Sequence, residues 1–329
     1  MGTTPNHLVK ILDFITKSEE PAATIESLHV RQVRKVRSVF QDPNIVGVGV
    51  GKKVSGMTET DELCVCFYVE RKFAPSKVSG QHFVPPVIAA ADGSSVYTDV
   101  KKLGRVIPEV KALVKRRPVQ SGYSVGHVKI TAGTLGAIVK KGEKRYLLSN
   151  SHILANSGKG RPGDKIVYPG PDDGGEATAD WVAVLSQSVA FKKGGDFVNE
   201  VDAALAEVRK EREKDLDYAL AGAKVPLGTI APKRDMMVSK RGRTTGKTRG
   251  KVIDIDFRIQ ISYPGVGKLG FTNQVLCERY TDGGDSGSLV IDTSSGKIVG
   301  LHFAGAEQGS VFNPIGAVMK ALNFTFTSA

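Results

Sequence analysis

Cysteine and tryptophan are nearly missing from this chain: its 329 residues include three Cys and one Trp, and aromatics make up 7%. Three cysteines are too few for a disulfide framework, and no further ligands stand at zinc-like spacing, so a structural metal is not expected. Cys64 and Cys66 sit two apart in "ELCVCFYVE"; on a strand they share a face and cannot easily bridge. Small buried thiols in a reducing, cytoplasmic compartment are the expectation. No apolar run approaches the roughly 18–20 residues of a membrane span. The first residues, "MGTTPNHLVKILDFITKSEE", lack a basic lead-in and carry Lys10 and Asp13 within their short apolar stretch, unlike a secretory signal. Asn6 stands where a myristoylation pattern needs Ser or Thr.

What the chain does hold is charge and glycine: a net charge of +12 and 37 Gly. Before and including Pro118 there are 18 Lys/Arg and 12 Asp/Glu, and after it 28 and 22, so each part carries about +6 and neither is a basic tail. The sparse aromatics are not interleaved with the cations, as a single-strand nucleic-acid platform requires. A solvated basic surface is expected, with no nucleic-acid or membrane partner.

The chain divides by texture. "NHLVKILDFITK" follows Pro5 and sets Leu8, Ile11, Leu12 and Ile15 on one helical face. "TIESLHVRQVRKVRSVF" predicts a second, basic amphipathic helix. "NIVGVGVGKKV" and "ELCVCFYVERKF" predict paired strands, with further extended segments at "PPVIAA" and "SVYTDVKKLGRVI". We therefore expect a small α+β unit over 1–110 and a linker over 111–122, where "KALVKRRPVQSG" is basic and broken by Pro118. Residues 123–329 change character. Short β-type runs recur between Gly-rich turns, among them "GTLGAIVK", "KRYLLSN", "DWVAVLSQSV", "KVIDIDFRIQISY" and "KIVGLHFAG". That pattern predicts a β sandwich or barrel rather than alternating βα units. "VRKEREKDLDYAL" reads as a charged helical or loop insertion.

Within the β-rich part lies "YTDGGDSGSLV", residues 280–290. A glycine turn of this kind presents the Ser286 hydroxyl outward and lets the N–H groups of Gly284 and Ser286 converge on an oxyanion. The turn needs a base and a group to orient that base. Of six histidines, His152 stands out in "RYLLSNSHILA", where an apolar strand gives way to a turn. In "NEVDAALAEV", Asp202 opens a buried apolar run. A carboxylate there is costly unless paired, and an imidazole would supply the partner.

The order His152, Asp202, Ser286, with separations of 50 and 84 residues, resembles that of the chymotrypsin-like (trypsin-fold) serine proteases. "SNSHILA" is similar to the histidine motif of their bacterial members, "VDAALAEV" to the aspartate strand, and "GDSGS" to the nucleophile motif. The resemblance covers about 123–323 and leaves 1–118 aside. It implies a mainly β fold of two barrels and a serine endopeptidase acting on protein or peptide substrates, with no metal or cofactor. Residues 1–110 would then be a regulatory or recruitment unit, offering a site for a regulatory protein partner.

The same resemblance gives "SKRGRTTGKTRGKV", residues 239–252, a reading. It is not a phosphate loop, because three residues rather than four separate Gly242 from Gly246-Lys247-Thr248. "GRTTG" resembles a segment of α-lytic-protease-like enzymes whose arginine pairs with the aspartate preceding the nucleophile. Arg243 is thereby expected as the internal counter-ion of Asp285, with Lys240, Arg241, Lys247 and Arg249 solvated around it. For specificity, Tyr280 stands where trypsin carries an acidic residue, which counts against cleavage after Arg or Lys. Thr281 and His302 resemble the pocket of glutamyl endopeptidases, and implied is a preference for Glu or Gln at the cut. The competing reading is a catalytically silent protease-fold scaffold or binding protein, its site gated by the N-terminal unit.

Overall fold

The computed structural model describes residues 4–16, 39, 42–56, 58–80, 82–89, 95–106, 118–194, 196–220 and 228–326. Most of the "TIESLHVRQVRKVRSVF" pattern and the linker residues 111–117 lie outside them. The fold is mainly β, as the texture of the sequence implies.

The first helix, Asn6–Thr16, starts where expected, with the amides of Leu8 and Val9 closing on the Pro5 carbonyl. Its stripe of Leu8, Leu12 and Ile15 is buried on Val48, Val50, Val65 and Phe67, with Ile11 at the margin. The two predicted strands form an antiparallel hairpin, Ile45–Ser55 with Thr58–Val69. Alternation in "VGVGVG" gives the hairpin two different faces. Val48 and Val50 meet the helix, while Gly47 and Gly49 leave space on the other side for Phe257 and Asp254. Cys64 and Cys66 do share a face, with sulfurs 3.7 Å apart.

This hairpin does not build a sheet of its own. Strand Ile45–Ser55 pairs with the strand Gly246–Tyr263, matching Gly47 to Ile259 and Val48 to Arg258. Gly246–Tyr263 is 18 residues long. Its beginning pairs with Met237–Gly242 along one edge, and the N-terminal hairpin covers the same edge farther on. One sheet of eleven described strands therefore runs from Phe197–Asn199 through the C-terminal strands into the hairpin, ending on Ser95–Lys102 and Val87–Ala89. The texture boundary near residue 110 is not a boundary of this sheet. Tyr68, Leu103 and Val106 also share a core with Phe257, Phe271 and Phe303.

A second sheet has the order Gly133–Thr134, Ser124–His127, Lys165–Val167, Trp181–Ser188, Ala204–Val208, Lys144–Ser149, Ala137–Lys141. It wraps Val125, Leu135, Leu147, Ile166, Val182 and Leu185. Leu148 and Leu205 of this sheet pack with Leu289 and Leu301 of the larger one and with Ile315 and Val318 of the final helix, Ile315–Leu322. The charged "VRKEREKDLDYAL" segment becomes a 3-10 turn, Lys210–Asp215, and then a strand, Leu216–Leu220. That strand runs parallel to Val119–Ser121, so the last part of the expected linker is itself β structure. Among the described residues no helix is long and apolar enough to cross a membrane.

Candidate active site

The predicted site residues come from both sheets. Strand Lys144–Ser149 ends at Asn150, and one helical turn, Ser151–Leu154, carries His152. Asp202 lies two residues before the strand Ala204–Val208, which pairs with Lys144–Ser149 and so holds the two side chains together. His152 Nδ1 lies 2.5 Å from Asp202 Oδ2, and the His152 amide donates to Asp202 Oδ1 at 3.2 Å. Asp202 is completely buried. The Tyr263 hydroxyl donates to its Oδ2 at 2.8 Å, and its own amide donates to Asn313 Oδ1 at 3.0 Å. The Asn150 side chain donates to the Asp202 carbonyl at 2.7 Å. With Nδ1 engaged, His152 directs Nε2 away from the carboxylate, and that nitrogen has no partner among the described residues.

Ser286 sits in the tight turn before the strand Leu289–Asp292. Gly284 has a φ of +94°, a conformation that favours glycine. The Asp285 amide closes on the Asp282 carbonyl at 3.0 Å, and the Gly287 amide on the His302 carbonyl at 2.9 Å. Thr134, from the smaller sheet, clamps this turn. Its amide donates to the Ser286 carbonyl and its hydroxyl to the Gly284 carbonyl, both at 2.8 Å. The Gly284 and Ser286 amides donate to no acceptor among the described residues. The Ser286 hydroxyl donates to the Phe303 carbonyl at 3.2 Å rather than to His152. The His–Asp pair is thus assembled, and the serine is held on a different acceptor.

The counter-ion of Asp285 is Lys240, not Arg243. Lys240 Nζ lies 3.0 Å from Asp285 Oδ2, with both side chains sealed from solvent. The strand Met237–Gly242 alternates in burial, so Val238, Lys240 and Gly242 face inward together. Arg243 follows the end of that strand, where the chain turns toward the other sheet. There its Nε and Nη2 grip Asp173 at 2.7 and 3.1 Å, and Nη1 reaches the Ala132 carbonyl at 3.3 Å. Lys240 was also expected to be solvated; pairing with a buried carboxylate is what makes its burial tolerable. The "GRTTG" segment still serves Asp285 through the amides of Thr244 and Thr245, each at 3.1 Å, and the Thr245 hydroxyl at 2.6 Å. Burial by itself pushes the Asp285 carboxyl up. The Lys240 ammonium and these hydrogen bonds outweigh it and hold the group below the ordinary carboxylate range.

The expected pocket residues are neighbours. The ring centroids of Tyr280 and His302 are 6.2 Å apart, and His302 lies on the buried strand Ile298–Ala306. Thr281 Oγ1 is 2.6 Å from Ser310 Oγ, which also accepts the Tyr280 amide at 3.1 Å. Ser310, Thr134, Tyr263 and Lys240 went unrecognised in the sequence. No local pattern marks any of the four as part of the site. Tyr280, Thr281, His302 and Ser310 are all buried.

No family model and no curated protein matches the chain. The structure is similar to solved serine proteases. Protease A of Thermobifida fusca aligns at 13% identity over 64% of this chain and 99% of its own, with a TM-score of 0.45. A glutamic-acid-specific serine protease aligns at 16% identity over 64% and 100%, with a TM-score of 0.45. Cellulomonas bogoriensis chymotrypsin aligns at 15% over 64% and 99%, with a TM-score of 0.44. The glutamic-acid-specific enzyme is described as using a histidine triad in substrate binding. His302 pairs across the sheet with Phe312.

Proposed function

We propose that this chain is a serine endopeptidase with Ser286 as nucleophile, His152 as general base and Asp202 as the group that orients it. The observation that carries this reading is the buried His152–Asp202 contact of 2.5 Å with Nε2 left open, together with a serine-bearing glycine turn whose Gly287 packs against Ser149, at the end of the strand that leads into His152. In the reaction, Nε2 takes the Ser286 proton as Oγ attacks the scissile carbonyl. The oxyanion is received by the Gly284 and Ser286 amides, and losing one such donor typically costs about 10²–10³ in rate. His152 then returns the proton to the leaving amine, forming an acyl-enzyme at Ser286. Water, deprotonated by the same imidazole, releases the acid. Attack requires the Ser286 hydroxyl to leave the Phe303 carbonyl and donate to Nε2 instead. Thr281, His302 and Ser310 supply donors suited to a Glu carboxylate or Gln amide at the cut, with Tyr280 walling the pocket. Three buried, unpaired cysteines support a reducing, cytoplasmic setting.

A second reading is a silent or gated protease-fold protein. It is favoured by the Ser286–Phe303 hydrogen bond and by the complete burial of Ser286. A partner acting on the N-terminal hairpin would reach the site through the shared strand Gly246–Tyr263. Intact mass after treatment with a fluorophosphonate separates the two readings. Stoichiometric labelling of the wild type, absent in Ser286→Ala and His152→Ala, is expected of the endopeptidase. A folded wild type that never labels would sink that assignment.

A further inference from the structure

The Asp202 carboxylate is shared by two side chains. Its Oδ2 accepts from Tyr263 at 2.8 Å and faces His152 Nδ1 at 2.5 Å. Tyr263 is the last residue of the strand Gly246–Tyr263, where it pairs with Gly267 across a short turn. Its ring is buried between Phe191 and Phe271, at centroid distances of 5.3 and 6.1 Å, and meets the His152 imidazole edge-on at 5.9 Å. Packing of this kind leaves the phenol little freedom. Its hydroxyl is therefore aimed at one carboxylate oxygen by the backbone of the larger sheet, while Asp202 and His152 belong to the smaller one.

We propose that Tyr263 is a positioning residue of the site, anchoring Asp202 across the seam between the two sheets so that the carboxylate holds His152 in its Nδ1–H form. This rests on the endopeptidase reading for its purpose, but not for its test. The charged and titratable groups facing the phenol are Asp202 and, edge-on, His152. On the strand side, Lys159 reaches the turn at Gly265. Burial, and then the Asp202 charge, hold the phenol well above its ordinary range, so it remains a neutral donor. A hydrogen bond to the carboxylate withdraws part of its negative charge. Removing that bond makes Asp202 a stronger base and stabilises the imidazolium beside it.

The test is NMR titration of ¹⁵N-labelled histidine in the full chain, comparing wild type with Tyr263→Phe, which keeps the ring and loses one oxygen. The His152 midpoint is expected to rise by about one pH unit in the variant. The acid limb of fluorophosphonate labelling should move up with it. Placing 3-fluorotyrosine at 263, a more acidic phenol of nearly the same shape, should move the midpoint down. Phe191→Leu, which keeps the hydroxyl but loosens the packing that aims it, should move the midpoint in the same direction as Tyr263→Phe and by less. An unchanged midpoint in both Tyr263 variants would overturn the assignment. The titration needs no reactive serine: a wild type that titrates as described but never labels counts against the endopeptidase reading alone.

Discussion

Lys240 and Asp285 form an ion pair across 3.0 Å with no solvent on either side chain, one residue before the candidate nucleophile. An unpaired carboxylate in such a place costs several kcal/mol, so the pair fixes the turn as much as it stabilises the fold. Lys240→Met is expected to destabilise by about 3–5 kcal/mol, measured by denaturant unfolding. Asp285→Asn on that background should recover a large part of the loss. Arg243→Met should instead be relieved by Asp173→Asn, since Arg243 serves Asp173. Strong coupling of Arg243 to Asp285, and none of Lys240 to Asp285, in double-mutant cycles would refute the arrangement.

The same pair sets an acid limit. The Asp285 carboxyl is held below its ordinary range in the folded chain. Its contribution is therefore complete above the unfolded carboxylate value of about 3.9 and is lost as pH falls toward the folded one. Lys240→Met should flatten this part of the stability–pH curve, read by thermal unfolding at a series of acidic pH values.

Asp254 runs the other way. It is fully buried against Gly49, with Arg234 Nη2 3.7 Å from Oδ1, and its Oδ2 finds no partner among the described residues. Burial pushes its carboxyl up to about 7, against the opposing pull of Arg234. Between the unfolded value of about 3.9 and this folded value, the native chain binds the extra proton, so stability falls as pH rises. Asp254→Asn should gain nothing near pH ~4 and gain up to about 4 kcal/mol above neutrality, less the lost Arg234 attraction. A gain that is equal at both ends of the range would contradict the assignment.

Gly242 is required by packing. A Cβ there would stand 2.3 Å from Asp285 Oδ1 and 2.7 Å from Ser288 Oγ. Gly242→Ala is expected to displace the Asp285 turn, lowering fluorophosphonate labelling by more than tenfold. Its loss of stability should be about 1–3 kcal/mol, as for other overpacked sites. Labelling at the wild-type rate would show that the turn tolerates the shift.

The pocket assignment makes a prediction about selectivity. Thr281→Val and Ser310→Ala each remove one partner of the 2.6 Å contact. Both should reduce cleavage of peptides with Glu at the cut by about tenfold relative to Leu, one hydrogen bond to a charged group amounting to about 1.5–3 kcal/mol. Peptide libraries resolved by mass spectrometry would measure the ratio. Equal losses for Glu and Leu would assign these residues to structure rather than specificity.

The strands were legible because their signal is local. "VGVGVG" and "ELCVCFYVE" alternate or run apolar whatever surrounds them, and both became strands. His152 and Asp202 were legible by type and setting, and they do meet. Lys240 was not, because a run rich in Lys and Arg reads as solvated. Which face of its strand turns inward is fixed by pairing with Gly246–Tyr263 and Leu289–Asp292. Tyr263 was invisible for a related reason: it stands 61 residues from Asp202, and no local pattern marks an aromatic residue at a strand end as a hydrogen-bond donor.

The sequence by itself determined the mainly β character, the first helix and hairpin, the residue types of the candidate site and their order. These follow from side-chain period, turn chemistry and the cost of a buried carboxylate, all properties of short stretches. Tertiary structure alone decided that the N-terminal hairpin extends the larger sheet, that Lys240 rather than Arg243 neutralises Asp285, and that Ser286 rests on the Phe303 carbonyl. Each of these depends on which distant edges and ends are brought together. Charge pairing and hydrogen bonding act over a few ångströms of space, whatever the distance along the chain.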